Sequence, residues 1–132
     1  MLTILVMDDE PAPRELFVEF LKAIFDDPVR ILEASNPKEA HELLADVHTS
    51  DIGCIIADVQ QRPFFKDWEF IDALLAKGEI PKAKIVAISA LAQILDKEAS
   101  TRGVVLLGKP LTFNEFQAAV RLACLWPNKP SA

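Results

Sequence analysis

Residues 53–58 read Gly-Cys-Ile-Ile-Ala-Asp (GCIIAD), with no polar side chain until the last position, where they end on a carboxylate. A sheet with one wet face would alternate apolar and polar residues. A continuous apolar run of this length instead suits a central parallel strand covered on both faces. Residues 84–89 (KIVAIS) have the same character and end on a hydroxyl. Working outward, apolar runs at 2–7, 29–34 and 104–107 complete a set of five strand candidates.

The segments between these runs carry helical periodicity. Residues 12–26 open with prolines at 11 and 13, tolerated only in a first turn, and the spacing predicts a buried stripe of Leu16, Phe17, Phe20, Leu21 and Ile24. Residues 37–48 follow Ser35-Asn36-Pro37, a cap and a first-turn proline. A third helix presents Ile71, Leu74 and Leu75 and stops at Gly78. A fourth, 91–101, presents Leu91, Ile94, Leu95 and Ala99 and stops before Gly103. The fifth opens on a capping box, Thr112 to Glu115, and carries Phe116, Ala119, Val120, Ala123 and Cys124.

Five β–α units in 132 residues predict an α/β fold: one doubly wound (βα)5 domain over residues 1–126, with a flexible tail at 127–132. The expected sheet is parallel, five-stranded and of order 2-1-3-4-5, the flavodoxin-like arrangement. Acidic side chains outnumber basic ones 20 to 14, a formal net charge of −6, which disfavours binding to nucleic acid or an anionic membrane. With no leader-like segment and no long apolar stretch, the expected location is the cytoplasm. Cys54 and Cys124 have no metal-ligand spacing and read as buried small residues in a reducing compartment.

In a doubly wound sheet, ligands bind at the carboxyl ends of the strands where the strand order reverses. The chain brings Asp8 and Asp9 to the end of the first strand, Asp58 to the third, Ser89 to the fourth and Lys109-Pro110 to the fifth. Three converging carboxylates cannot all stay ionised without a counter-cation, and Mg2+, a hard ion with oxygen ligands, meets that need; Mn2+ is a second candidate. Lys109 and Ser89 would then face phosphoryl oxygens, and one carboxylate is free to act as a nucleophile toward phosphorus.

Taken in order, ILVMDDEP at 4–11, IIAD at 55–58, VAISA at 86–90 and GKP at 108–110 resemble the receiver domain of two-component response regulators over residues 2 to about 125. The resemblance implies that Asp58 is the phosphoacceptor, charged by a histidine kinase or phosphotransfer protein. It implies Mg2+ held by Asp8, Asp9, Asp58 and the main-chain carbonyl of Gln60, with Lys109 on the phosphoryl group and Ser89 as the switch hydroxyl. Pro110 would follow a cis peptide bond. Output would pass to a protein target, or to a second copy, through the fourth helix, fifth strand and fifth helix, with no direct nucleic-acid contact.

Three departures stand out. Leu106 occupies the family's usual aromatic switch position; the loop VQQRPFFKDWEF at 59–70 is reshaped, with Pro63 one residue late; and Leu91 replaces a commonly polar residue. Phe64, Phe65 and Trp68 are expected to cover the third helix and sheet edge. His41 and His48, and the charges at 96–98, are expected on solvated faces. Two other readings compete. One is a receiver-like interaction module that takes no phosphate, although such relatives lose one of the acidic or basic site residues. The other is an aspartate-nucleophile phosphatase, which needs an Asp where this chain has Gln60.

Overall fold

The computed structural model describes residues 1–59 and 68–127. Its strands are β1 (Thr3–Met7), β2 (Arg30–Ala34), β3 (Ile52–Asp58), β4 (Ile85–Ser89) and β5 (Val105–Gly108). Its helices are α1 (Pro11–Ile24), α2 (Pro37–Ala45), α3 (Glu69–Lys77), α4 (Ala92–Arg102) and α5 (Phe113–Leu125). All strand pairs are parallel and the order is β2-β1-β3-β4-β5, as the sequence predicts.

Alternate residues of the apolar strands feed two separate cores, because successive side chains point to opposite faces. Leu5, Ile55 and Ala87 pack with Phe70, Ile71, Leu74, Leu95 and Ala99 beneath α2, α3 and α4. Ile4, Ile56 and Ile88 pack with Phe17, Leu21, Phe116 and Val120 beneath α1 and α5. The Phe17 and Phe116 rings stack at 5.4 Å and join those two helices.

Helix ends follow the local chemistry. Asn36 Oδ1 accepts from the Glu39 amide, the Thr112–Glu115 capping box forms, and Gly78 and Gly103 end α3 and α4 in the left-handed region, where a Cβ is disfavoured. The second helix is shorter than expected. It stops at Ala45, and a 3-10 turn at Thr49–Asp51 leads into β3.

Two predicted stripes are narrower than their sequences suggest. On α1 the buried set is Phe17, Val18, Leu21 and Ile24, while Leu16 is 49% exposed. Each residue turns the helix by about 100°, so Leu16 falls outside a stripe centred on Phe17 and Leu21. On α4 only Leu95 and Ala99 are buried; Leu91 precedes the helix, half outside, and Ile94 is 68% exposed. β5 is an edge strand whose outer residue Val105 stays exposed, since only β4 pairs with it. No helix among the described residues is long and apolar enough to cross a membrane.

Candidate metal and phosphoacceptor site

β1 and β3 lie side by side, with Met7 opposite Ala57. Asp8 follows β1 directly and Asp58 is the last residue of β3, so their carboxylates leave adjacent strand ends. Ligand oxygens of Asp8, Asp9 and Asp58 all lie within 4.8 Å of one another. The sheet order creates this meeting: β1 has β2 on one side and β3 on the other, and the crevice opens between them.

Asp8 is the most constrained member. It is 1% exposed, and a carboxylate out of water needs partners. Its amide donates to the Ala34 carbonyl at 3.0 Å, and its Oδ1 accepts from the Glu10 amide at 2.9 Å. Its main-chain carbonyl accepts from Arg14 Nη1 at 2.8 Å, while Arg14 Nε donates to Glu33 Oε1 on β2 at 3.3 Å. Among the described residues, the buried Asp8 Oδ2 has no hydrogen-bond partner, and it faces the Lys109 ammonium at 3.5 Å.

Lys109 follows β5, and its amide donates to the Ser89 carbonyl at 2.9 Å, extending the β4–β5 pairing by one step. Its Nζ lies 3.2 Å from Asp58 Oδ1, and the Lys109–Pro110 peptide is cis. Ser89 is buried at the end of β4. Its Oγ accepts from the Leu91 amide at 2.9 Å, so the hydroxyl is engaged at the entry to α4 while keeping its own proton to donate. Leu106 is half-buried on β5 opposite Ala87 and packs into the core beneath α2, α3 and α4. Gln60, Pro63, Phe64 and Phe65 lie outside the described residues.

The structure therefore gathers Asp8, Asp9, Asp58 and Lys109 in one crevice, with Ser89 on the strand beyond Asp58. Asp8, Asp9 and Asp58 can each turn a carboxylate oxygen to one point. This oxygen set fits a hard divalent cation.

Arg14 was not singled out in the sequence. A signal existed, because a cation in the first turn of a helix opposes the helix dipole and needs a local partner. Trp68 is buried in one cluster with Phe70, Ile71 and Leu74 of α3, as expected, and it also reaches α4: its Nε1 donates to Glu98 Oε2 at 2.6 Å. Glu98 nonetheless stays exposed with Asp96 and Lys97, as expected of a solvated face. His41 is half-buried rather than fully solvated, its ring meeting Phe70 edge-on at 5.0 Å; burial, and then the nearby Lys77 charge, lowers its pKa. His48, exposed after α2, bonds the Ser50 hydroxyl at 2.7 Å.

This fold is that of response-regulator receiver domains. The chemotaxis protein CheY4 of Vibrio cholerae superposes with a TM-score of 0.72 at 20% identity, covering 92% of this chain and 98% of its own. A response regulator receiver domain protein from Clostridium thermocellum gives 0.74 at 18% identity over 94% of each chain. The PhyR response regulator REC domain of Erythrobacter litoralis gives 0.74 at 19% identity, over 99% of this chain and 95% of its own. No protein-family model and no curated protein matches the sequence.

Proposed function

We propose that this chain is a phosphorylatable receiver that takes a phosphoryl group on Asp58 from a histidine kinase or phosphotransfer protein and signals through protein contact. The observation that carries the reading is the Asp58 carboxylate, held 3.2 Å from the Lys109 ammonium and grouped with Asp8 and Asp9 at adjoining strand ends.

In the transfer, an Asp58 oxygen attacks phosphorus as the bond from phosphorus to the donor's imidazole nitrogen breaks. The imidazole, protonated on its other nitrogen, takes the P–N electron pair and leaves as a neutral ring, and Asp58 becomes an acyl phosphate. Lys109 sits where it meets charge on the phosphoryl oxygens, and Ser89 has a proton to offer once it turns from the Leu91 amide. Asp8, Asp9 and Asp58, with the main-chain carbonyl of Gln60, would hold Mg2+ or Mn2+, which when bound supplies charge neutralisation for the transferring group. Later attack by water releases phosphate and restores the carboxylate, so the chain cycles without turning over a separate substrate.

Output would use the surface of α4, β5 and α5, where Leu91, Ile94, Val105 and Leu122 stand outside the core. A downstream protein or a second copy would dock there. With Leu106 in place of an aromatic, the switch would run through Ser89 and the α4 entry.

Intact mass after incubation with acetyl phosphate tests the proposal. One added phosphoryl group is expected in the wild type with Mg2+, and none with EDTA or in Asp58→Asn. An unchanged wild-type mass would point to the phosphate-independent interaction module instead.

A further inference from the structure

The turn carrying Asp8 and Asp9 is only three residues long, from the end of β1 to the start of α1 at Pro11. Its main chain is fixed at both ends by secondary structure, within by the bond from the Glu10 amide to Asp8 Oδ1, and from outside the turn by the Arg14 side chain. Arg14 reaches back from α1 and donates through Nη1 to the Asp8 carbonyl, the oxygen of the peptide linking Asp8 to Asp9. Its Nε is held by Glu33, whose strand position is opposite Val6 on β1. The guanidinium is a planar fork, so anchoring one donor to Glu33 orients the other toward the carbonyl.

We infer that Arg14 is a positioning residue for the divalent cation, fixing the Asp8–Asp9 peptide so that both carboxylates meet the ion together. This rests on reading the acidic cluster as a cation site. The claim runs against simple electrostatics. Arg14 is a cation beside a cation site, and if charge alone mattered its removal would tighten binding. A role through geometry predicts weaker binding, because partners that orient metal ligands commonly govern affinity as the ligands themselves do. Lysine separates the two cases further: it keeps the charge but cannot hold Asp8 and Glu33 with one fixed fork.

The test is a Mg2+ titration of wild type, Asp9→Asn, Arg14→Ala and Arg14→Lys at constant ionic strength, followed by the amide resonances of residues 8–10. Thermal midpoints are measured alongside in EDTA. Both Arg14 variants are expected to bind Mg2+ about tenfold more weakly, with midpoints near wild type. Unchanged or tighter binding in Arg14→Ala would overturn the inference, as would full recovery in Arg14→Lys. Midpoints lowered by more than about 10 °C in both variants would assign Arg14 to folding instead. If wild type itself binds no Mg2+, the cation site fails and the role of Arg14 with it. Wild-type binding that disappears in Asp9→Asn but is untouched by Arg14→Ala would sink the Arg14 role alone.

Discussion

Lys109, 22% exposed, is a counter-charge for two carboxylates that water hardly reaches, Asp8 at 3.5 Å and Asp58 at 3.2 Å. Removing one partner of such a group leaves uncompensated charge, which costs more than the pair contributes. Because Lys109 is partly solvated, Lys109→Met is expected to lose about 2 kcal/mol in EDTA rather than the full buried-pair penalty, and to regain much of it with Mg2+. Urea unfolding with and without Mg2+ checks this; equal losses in both conditions would contradict it. Elsewhere, burial pushes the Cys124 thiol up to about 11 and Cys54 well above its ordinary value. Both thiols should resist iodoacetamide at neutral pH in the folded protein, since the thiolate is the reactive form. The folded state prefers the protonated thiol, so this contribution is complete below the unfolded value of 9.0 and is lost as pH rises toward about 11. Cys124→Ala should flatten the fall in thermal midpoint across that range. At this scale Asp8, Asp9, Asp58, Ser89 and Lys109 were legible because each ends a strand. Arg14 was not, because its partners come from two other elements.

Among the elements, α4 is thinly attached. Its buried residues, Leu95 and Ala99, amount to little more than one large side chain, roughly 2–3 kcal/mol of hydrophobic stabilisation. Polar contacts from its flank supply the remaining hold. Arg102 makes a forked bond to Asp72 on α3 at 2.6 and 3.0 Å and lies 4.5 Å over the Trp68 ring, while Trp68 donates to Glu98. The hydrogen bond to Asp72 raises the Arg102 pKa, as a charge-stabilising contact should. Trp68→Phe keeps an aromatic face and loses the indole donor; it is expected to cost about 1 kcal/mol and to speed amide exchange across 92–102 more than across α5. Uniform acceleration over the whole molecule would refute a local clamp. The sequence predicted α4 as a helix from its periodicity and Gly103. It did not reveal the clamp, because the residues of each hydrogen-bonded pair lie 30 positions apart.

For the whole molecule, ligand linkage sets the expected scale. A cation that binds only the folded state adds about 2.7 kcal/mol at a hundred times its dissociation constant. Mg2+ should then raise the thermal midpoint by roughly 10 °C in wild type and leave Asp9→Asn unmoved. A shift of equal size in both would trace to ionic strength rather than to a site. The apolar runs, the capping residues and the glycine stops by themselves determined five β–α units and the parallel sheet, since these depend on side-chain period and local backbone chemistry. Strand-end position likewise determined which carboxylates, hydroxyl and ammonium would gather. Only the tertiary structure decided which helix faces close onto the sheet, leaving Leu16 and Ile94 outside and bringing His41 onto Phe70. It also decided that Gly53 leaves room for Cys124, whose Sγ would stand 3.1 Å from an added Cβ, and that Arg14 bridges Asp8 and Glu33. The reason is physical: period and propensity act over a few residues, whereas these contacts join elements whose relative placement depends on the packing of the whole core.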